Sequence, residues 1–282
     1  MATSPSAETT ARTVLITGAA SGIGRAVGRM LKAHGFSVFG TSRRPEAHAS
    51  SDFPLITLDV LSDDSVRAAV ERVRAATGRL DVLINNAAQR FVGAVEETSI
   101  EEAKAVFDAN FFGVHRVTRD ALPLLRAAGR GSIVNVSSLA GLNAAPFAAV
   151  YSASKSALEA YSESLRQELK PLGIRVSLIE PGAVRSETRQ APQTAAQPIA
   201  AYAGPRQRAL GVISALDQRG MDVNRVAECV LHVLQSPSPK LRYRVGPDAT
   251  WLPRLRAALP WSWYEEGVRR KYHLDDSSES RL

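Results

Sequence analysis

The sequence predicts one α/β domain built on a doubly wound parallel sheet with helices on both faces. First, short segments rich in β-branched residues alternate with segments of helical periodicity from residue 13 to about residue 247. Second, strand segments such as "VLITG" and "DVLIN" are apolar without alternation, as in strands that are buried on both faces. Third, 45% of the 282 residues are hydrophobic and 22% are charged, which allows a sizeable core.

The first part of the domain opens with a strand and a helix that are clearly marked. The run "TVLI" at 13–16 predicts the first strand, and the helix after it ends at Gly35, which suits a helix C-cap. The next predicted elements are a strand at 37–41, a strand at 54–60 ("PLITLDV") and a helix from Asp63 to Thr77.

The second part of the domain continues the alternation. It comprises a strand at 80–87, a long helical stretch at 100–127, a strand at 131–138, a helix at 149–169, a strand at 174–182, a helix at 223–235 and a short last strand at 241–245. The chain is rich in Pro, Ala and Gln early in the stretch 183–222. We expect that stretch to be a lid over the substrate site, mobile without ligand and closed when cofactor and substrate bind.

Both ends of the chain differ from this pattern. Residues 1–12 are small and polar, lack the apolar segment of a signal peptide, and are expected to be disordered, as is the tail 275–282. No apolar run approaches the roughly 18 residues that a membrane span needs, so we expect a cytoplasmic protein. The Trp-rich extension 248–274 could suit a membrane interface, but Pro253 and Pro260 should interrupt a long amphipathic helix. Packing over the substrate pocket or a neighbouring subunit is favoured, and membrane association is not expected.

Charge and cysteine content exclude several classes of function. The formal net charge is +7, which favours anionic partners, but no nucleic-acid motif accompanies it and no nucleic acid is expected. Cys229 is the only cysteine, so neither an intramolecular disulfide nor a thiolate cluster can form, and its apolar helical surroundings indicate packing. The five histidines lack the spacing of metal ligands, so no metal site is predicted.

The segment "TGAASGIG" places Gly18, Gly22 and Gly24 between a strand and a helix. Glycines there allow a tight turn, close approach of the backbone to a pyrophosphate, and close packing of helix on strand. The helix N-terminus supplies N–H groups and a positive dipole end to the phosphates. The spacing differs from the G-x-G-x-x-G fingerprint, so a purely structural turn is the alternative for this motif taken alone.

The end of the second predicted strand favours NADP(H) over NAD(H). An acidic residue there would bind the ribose hydroxyl of NAD. This chain has Ser42, Arg43 and Arg44 instead, and a guanidinium pairs with a 2′-phosphate. The alternative is that both arginines are ordinary surface charges.

The segment "YSASK" places Tyr151 and Lys155 on one face of a helix, with small residues between them. The pKa of a free tyrosine is about 10, which is too high for a base at neutral pH. A cation one helical turn away favours the phenolate, and small neighbours leave room for a cofactor against the helix. Such a pair can also arise by chance in any helix.

Taken together, the ordered motifs resemble the classical short-chain dehydrogenases/reductases over residues 13 to about 186. They are "TGAASGIG", "LDV" at 58–60, "NNA" at 85–87, Asn110, Ser138, "YSASK", and "PG" at 181–182. The resemblance implies a Rossmann-type fold over 13–247. It also implies that Tyr151 is the acid/base, that Lys155 lowers its pKa and holds the nicotinamide ribose, that Ser138 binds the substrate oxygen, and that Asn110 anchors a water.

The resemblance also implies a set of cofactor-binding residues at the glycine turn, the ends of the next strands and the "PG" turn. They are Gly18, Ser21, Gly22, Ile23, Gly24, Ser42, Arg43, Arg44, Asp59, Val60, Asn86, Ala87, Ala88, Tyr151, Lys155, Pro181, Gly182, Val184 and Ser186. Three residues depart from the family pattern: Ala88 stands where glycine is usual, Glu180 where many members carry a neutral residue, and Ser186 where threonine is common.

The expected function is therefore an NADP(H)-dependent oxidoreductase that interconverts a carbonyl and an alcohol in a small molecule. The Trp-rich extension and four further residues suggest an apolar or bulky substrate: Val95, Leu142, Phe147 and Tyr202. The alternatives are a non-catalytic, dinucleotide-sensing binding protein and a sugar-nucleotide epimerase or dehydratase of the extended branch.

We also expect a homodimer or homotetramer, because the helices at 100–127 and 149–169 carry more apolar residues than one buried stripe needs. Those residues are Val106, Phe111, Val114, Leu158, Tyr161 and Leu165.

Overall fold

The computed structural model describes residues 11–48, 52–186 and 191–275. The ends that the sequence predicts to be disordered, 1–12 and 275–282, lie almost wholly outside the described residues. Nothing in the described part of the chain forms a helix long and apolar enough to cross a membrane.

A parallel sheet of seven strands organises the described residues. Its strands are β1 (Thr13–Ile16), β2 (Ser37–Ser42), β3 (Leu55–Thr57), β4 (Val82–Asn85), β6 (Ser132–Val136), β7 (Arg175–Pro181) and β11 (Arg242–Val245). Their order in the sheet is β3-β2-β1-β4-β6-β7-β11, so the winding reverses between β1 and β4. All neighbouring strands are parallel; Val14, for example, pairs with Val38 on one side and with Val82 on the other. The predicted doubly wound sheet is confirmed.

Two further pairs of very short strands lie outside the main sheet: β5 (Phe91–Val92) with β9 (Gln193–Thr194), and β8 (Val184–Arg185) with β10 (Met221–Asp222). Nine α-helices occur in the described residues: α1 (Gly22–Ala33), α2 (Asp63–Thr77), α3 (Ile100–Phe107), α4 (Gly113–Ala127), α5 (Ala149–Leu169), α6 (Ala203–Arg219), α7 (Asn224–Gln235), α8 (Pro247–Ala258) and α9 (Trp261–Lys271).

The sheet separates two apolar layers. Val14 and Ile16 of β1 point to the layer that holds α1 and α7, whereas Leu15 points to the layer that holds α2, α4 and α5. Alternate side chains of a strand face opposite sides of the sheet. Both sides of β1 are fully buried, which explains why its sequence is apolar without alternation.

Most elements match their predicted bounds, and α2 and α5 match to the residue. The predicted helix at 100–127 is instead two α-helices joined by a π-helical turn, Asp108–Phe112, which contains Asn110. The strand predicted at 54–60 is shorter, because only Leu55–Thr57 pairs with β2. Helices α6, α8 and α9 were not predicted from the sequence. Pro260 does separate α8 from α9, but Pro253 lies inside α8, so the expected break at Pro253 is wrong.

The apolar residues invoked for self-association lie differently from expectation. Four of the six, Val106, Val114, Leu158 and Leu165, are buried within the protomer and cannot form a surface. An aromatic group remains on that side: Phe111 contacts Phe112 and Tyr161 edge to face, with ring centroids 5.2 and 5.7 Å apart. Phe112 is 49% exposed. Burial raises the pKa of Tyr161 to about 12.

Cys229 lies on α7 and packs against the layer that holds α1 and α7, in agreement with a packing role. Burial raises the pKa of its thiol to about 11, which keeps it in the unreactive protonated form at neutral pH.

Candidate active site

The carboxyl ends of β1, β4, β6 and β7 meet at one edge of the sheet, because the strands are parallel and adjacent. In open α/β sheets, ligands bind outside this edge, near the point where the strand order reverses. The glycine turn follows β1, the segment Asn86–Ala88 follows β4, Ser138 follows β6 and Gly182 follows β7. The predicted motifs are thus brought together at one place.

The glycine turn is a tight cradle that side chains would fill. Gly18 and Gly22 have positive φ angles of 64° and 53°, which favour glycine. A Cβ on Gly24 would lie 2.5 Å from Asn86 Nδ2 and 2.5 Å from the carbonyl oxygen of Gly18. Asn86 Nδ2 in turn donates to the carbonyl oxygens of Thr17 (2.9 Å) and Gly18 (3.0 Å). The end of β4 therefore fixes the shape of the turn.

Helix α1 begins directly at this cradle. Its N-cap, Ser21, is extended and its side chain makes no capping hydrogen bond. Ile23 in the first turn packs partly against the layer of α1 and α7. Orphan N–H groups and the positive end of the dipole at such a terminus suit a phosphate. The cradle and the helix terminus fit the pyrophosphate of a dinucleotide.

The end of β2 is followed by two positively charged side chains. Arg43 and Arg44 are both exposed, and neither forms an ion pair with a residue in the described ranges. The backbone N–H of Arg44 donates to Ser42 Oγ (3.1 Å). Two guanidinium groups are thus available on the side where the adenosine half of a dinucleotide would lie.

The predicted adenine-side residues lie at the next loops. Asp59 Oδ1 accepts a hydrogen bond from the N–H of Leu61 (3.1 Å). The carbonyl oxygen of Val60 accepts from Arg116 Nη1 (3.0 Å), which holds that loop against α4. Ala87 N–H donates to Thr17 Oγ1 (3.0 Å), and Ala88 is exposed.

Ser138 and Tyr151 line the same cavity, which has a volume of about 180 Å³. Ser138 caps the short turn after β6, where Ser138 Oγ accepts from the N–H of Ala140 (3.1 Å). Tyr151 lies in the first turn of α5 and is partly exposed to the cavity. The hydroxyl-bearing side chains of two different elements therefore face one space.

Lys155 lies one helical turn after Tyr151 and is buried. Lys155 Nζ donates to the carbonyl oxygen of Val136 (3.0 Å), at the end of β6. Burial lowers the pKa of Lys155 to about 8, because the charged form loses hydration, and the nearby Glu159 acts in the opposite direction. A buried ammonium group with a lowered pKa is common at functional sites.

Asn110 is fully buried in the π-helical turn and ties three segments together. Its Nδ2 donates to the carbonyl oxygen of Gln89 (3.0 Å) and to Ser154 Oγ (3.0 Å), and its Oδ1 accepts from the N–H of Gln89 (2.7 Å). Ser154 Oγ also donates to the carbonyl oxygen of Tyr151 (2.7 Å). Asn110 thus fixes the first turn of α5, while its role as a water anchor stays a prediction.

The "PG" turn is covered by the C-terminal extension. Gly182 N–H donates to the carbonyl oxygen of Val245 (2.9 Å), and Ala183 N–H donates to Asp248 Oδ2 (2.7 Å). A Cβ on Gly182 would collide with the Asp248 carboxylate. Pro181 and Val184 beside this turn are buried. Sequence reasoning missed Asp248, because no local pattern links it to a turn 66 residues earlier.

Ser186 closes the ring of predicted cofactor residues. A Cβ on Gly22 would lie 3.8 Å from Ser186 Oγ, so the segment after β7 reaches back to the glycine turn. The two predicted halves of the cofactor site are therefore adjacent in space.

Three helices that were not predicted from the sequence, α6, α8 and α9, also line this cavity. The apolar residues they contribute are Ile213 and Leu216 from α6, Leu252 from α8, and Tyr264 and Val268 from α9. Asn143 Nδ2 donates to the Tyr264 hydroxyl (2.8 Å), which joins α9 to the loop after β6. Arg90 and Asp217, both on the wall, form an ion pair (2.9 Å).

The residues that had suggested an apolar substrate do not line this cavity. Val95, Leu142, Phe147 and Tyr202 are all absent from the part of its wall that the described residues form, and Val95 is largely exposed. These four residues therefore give no support to an apolar substrate. The wall is nevertheless mostly apolar.

The segment that contains α6 makes several polar contacts with the part of the chain between β4 and α3. Gln193 Oε1 accepts from Gln89 Nε2 (2.6 Å), and Glu96 Oε2 accepts from the Tyr202 hydroxyl (2.8 Å). The buried Glu97 accepts from the N–H of Ile199 (2.9 Å) and pairs with Arg206.

Several known proteins are similar to this chain in both sequence and fold. The family described as short chain dehydrogenase matches residues 12–197. The 3-ketodihydrosphingosine reductase of Bacteroides thetaiotaomicron is 36% identical over 251 residues, which cover 85% of this chain and 93% of that protein. A short-chain dehydrogenase from Streptomyces avermitilis is 36% identical, with a TM-score of 0.78 over 92% of this chain and 98% of that chain.

Two more distant structures share the fold with different cofactors. A short-chain dehydrogenase/reductase from Burkholderia phymatum is in complex with NAD, at 24% identity and a TM-score of 0.75 over 89% of this chain and 94% of that one. One from Burkholderia cenocepacia is in complex with NADP, at 24% identity and a TM-score of 0.72 over 91% of this chain and 97% of that one. The match in sequence, the match in fold and the ordered motifs around one cavity lead to the same conclusion: the chain belongs to the classical short-chain dehydrogenase/reductase family of oxidoreductases.

Proposed function

We propose that the protein is an NADP(H)-dependent oxidoreductase that interconverts a ketone or aldehyde and the corresponding alcohol, with Tyr151 as acid/base. The observation that carries the proposal is the cavity wall shared by Ser138 and Tyr151, with Lys155 buried one turn further along α5. The glycine cradle at the same edge of the sheet supports a dinucleotide beside that wall.

A dinucleotide held by the glycine turn of Gly18, Gly22 and Gly24 would supply hydride to the carbonyl carbon in the reducing direction. Ser138 Oγ donates a hydrogen bond to the carbonyl oxygen and holds it next to Tyr151. Tyr151 gives its hydroxyl proton to that oxygen as negative charge develops on it, and the Lys155 ammonium stabilises the phenolate that remains. In the oxidising direction Tyr151 takes the proton from the alcohol.

Arg43 and Arg44 support the choice of NADP(H). They stand at the end of β2, where an acidic residue would repel a 2′-phosphate. Both are exposed and without an acidic partner among the described residues, so their guanidinium groups can pair with a phosphate. Related folds carry either NAD or NADP, so the choice rests on these two side chains.

The cavity supports a substrate with an apolar body next to its carbonyl group. Side chains from α6, α8 and α9 make the wall apolar, and the ion pair of Arg90 and Asp217 adds one polar point to it. One relative is named 3-ketodihydrosphingosine reductase, and that name denotes a long-chain ketone as substrate. We propose long-chain ketones as the first candidate substrates of this protein.

The direct test follows NADPH and NADH oxidation with a panel of ketones and aldehydes, which includes long-chain 3-ketones, steroids and short polar ketones. We expect turnover with NADPH and an apolar ketone. Faster turnover with NADH would contradict the cofactor assignment. Tight NADPH binding without turnover of any carbonyl or alcohol would favour the alternative, a dinucleotide-sensing binding protein.

We also propose that the protein forms a homodimer or homotetramer through the surface that contains Phe111, Phe112 and Tyr161. An exposed Phe112 beside two partly buried rings is apolar area that a second copy could cover. Light scattering at micromolar concentration should give a mass of two or four chains. Replacing Phe112 with Asp should lower that mass, whereas a wild-type monomer would contradict the assignment.

A further inference from the structure

A group of charged residues lies next to Lys155, further along α5 and on the neighbouring strands β7 and β11. Along α5, Tyr151, Lys155, Glu159 and Glu163 follow one another at intervals of four residues and therefore share a face of the helix. Glu159 is 5% exposed, and Glu180 on the neighbouring β7 is fully buried. Two carboxyl groups thus lie in the protein interior, where an isolated negative charge is costly.

Two arginines of β11 contact these carboxyl groups. Arg242 Nε lies 3.2 Å from Glu159 Oε2 and 3.1 Å from Glu180 Oε1, and Arg244 Nε lies 3.2 Å from Glu180 Oε2. Arg242 also pairs with Glu163, which is more than half exposed. The guanidinium group of Arg242 therefore forms ion pairs with three carboxyl groups, so one positive charge faces up to three negative charges.

The two buried carboxyl groups share one cation. Glu159 Oε2 and Glu180 Oε1 lie 3.2 and 3.1 Å from the same atom, Arg242 Nε, and carboxylate oxygens can only accept hydrogen bonds. Glu159 Oε1 and Glu180 Oε1 are both buried and receive no hydrogen bond from the described residues. A single proton between the two groups removes one negative charge and gives a hydrogen bond to the pair.

Electrostatics supports the same conclusion. Burial raises the pKa of Glu159 to about 7; the Glu180 charge adds to the rise, while the Ser137 hydroxyl and Arg242 oppose it. The charged and titratable groups around Glu159 come from three elements: Lys155 and Glu163 on α5, Glu180 on β7, and Arg242 on β11. Arg244, also on β11, pairs with Glu180.

We propose that Glu159 and Glu180 hold one proton between them, and that this carboxyl pair is a positioning unit that sets the charge of Lys155. The proposal rests on the proposed role of Lys155 beside Tyr151. When the pair releases its proton to solvent, Glu159 becomes anionic and stabilises the Lys155 ammonium. When the pair is protonated, Lys155 loses that support, so the pair acts on Tyr151 through Lys155 and does not touch the substrate.

The sign of the effect follows from the charges. The anionic Glu159 raises the pKa of Lys155 against the opposing effect of burial. Replacing Glu159 with Gln should therefore let Lys155 lose its proton at a lower pH. Replacing Glu180 with Gln removes a like charge from Glu159, so Glu159 stays anionic and Lys155 keeps its proton.

The test compares the pH dependence of kcat/KM for ketone reduction in three Gln variants. In Glu159→Gln the alkaline limb should move to lower pH by about one unit, the size expected for loss of a nearby opposite charge. It should not move down in Glu180→Gln or in Glu163→Gln, the matched control that also pairs with Arg242. The same shift in all three variants, or no shift in Glu159→Gln, would overturn the control of Lys155.

A second readout needs no turnover. Infrared spectra of the wild-type protein should contain a carboxylic-acid C=O band that disappears as pH rises through about 7 and is absent from Glu159→Gln and Glu180→Gln. Absence of that band in the wild type would overturn the shared proton even if the enzyme is active. If no ketone is reduced but the band is present, the proposed function fails and the shared proton stands.

Discussion

The edge of the central sheet and the cap above it are built on different physical principles. The edge belongs to a core in which both sides of β1 and β4 are fully buried. The cap, defined here as residues 193–222 with helices α8 and α9, buries only three residues, Ala195, Ala209 and Ala249. Its outer face exposes all three tryptophans of the chain, each more than 60% exposed.

The apolar core and the polar attachment of the cap suit two different tasks, holding the candidate catalytic residues in place and accommodating the substrate. A core held by apolar burial keeps Ser138, Tyr151 and Lys155 in fixed relative positions, because close-packed interiors deform little. A cap held by polar contacts at its rim can change sequence, and even position, without loss of the fold. We therefore propose that the chemistry takes place at the edge of the sheet and that the cap selects the substrate.

The largest expected effect is at the edge. Replacing Tyr151 with Phe removes the proton but keeps the ring, so turnover should fall at least about a hundredfold, the lower end for loss of an acid/base group. The matched control is Tyr264→Phe on the cap wall, which removes a hydroxyl bonded to Asn143 and should alter KM more than kcat. Steady-state kinetics and NADPH fluorescence titration measure both. A Tyr151→Phe variant with near-normal turnover would remove Tyr151 from the mechanism.

The next effect concerns the cofactor end of the edge. Replacing Arg43 with Ala should raise KM for NADPH roughly tenfold or more, since a hydrogen bond to a charged group contributes about 1.5–3 kcal/mol. KM for NADH should change much less. Arg72→Ala, at an exposed site on α2, controls for the loss of one positive charge. Equal rises for both cofactors would argue against contact with the 2′-phosphate.

Two glycines compare the packing of edge and cap directly. Gly24→Ala places a methyl group 2.5 Å from two polar atoms of the cradle, and should lower the free energy of unfolding by about 1–3 kcal/mol. Gly211→Ala lies on the exposed face of α6 with no atom within 4 Å, and should raise it by about 0.5–1 kcal/mol. Urea denaturation measures both changes. A stable Gly24→Ala variant would mean that the cradle is not close-packed.

The smallest effect concerns the attachment of the cap. Burial works to raise the pKa of Glu97, but the N–H groups of Ala94 and Ile199 and the Arg206 guanidinium hold it below its ordinary value. A lowered pKa in the folded state adds stability above the unfolded value of about 4.3, and this stability is lost as pH falls further. Hydrogen exchange of the α6 amides should therefore accelerate in acid before that of β1 and β4.

The Glu97→Gln variant tests the same contact at neutral pH. It should speed exchange in α6 by about tenfold, in line with about 1–3 kcal/mol for a buried group that loses its partner. Glu96→Gln, next to it but exposed, should have a smaller effect. Simultaneous acceleration in α6 and in the sheet would show that cap and core open together, and saturating NADPH should slow exchange in the cap if it closes as a lid.

The sequence predicted the core better than the cap, for physical reasons. β1 could be recognised because burial on both faces makes its sequence continuously apolar, and α2 and α5 because burial of one side gives a helix an apolar stripe. The π-helical turn at Asn110 escaped recognition, because it is stabilised by contacts with Gln89 and Ser154 that are distant in sequence.

The cap gives weaker periodic patterns. α6 buries only Ala209 and α9 buries no residue in its helical span, so neither shows a clear apolar stripe. Their positions depend on pairs such as Asn143 with Tyr264 and Gly182 with Asp248, which no local pattern reveals. The catalytic candidates, by contrast, carry short motifs of their own.

The central claim, that the edge does the chemistry and the cap selects the substrate, is tested most directly by one ratio. The ratio is kcat/KM for a long-chain ketone divided by kcat/KM for a short-chain ketone. It is measured in the wild-type protein and in two variants, Leu252→Ala on α8 and Ser138→Ala after β6. Reshaping an apolar wall should change this ratio by about tenfold in Leu252→Ala. Ser138→Ala should lower both values by the same factor and leave the ratio unchanged. A ratio that changes in Ser138→Ala and stays constant in Leu252→Ala would contradict this division of roles.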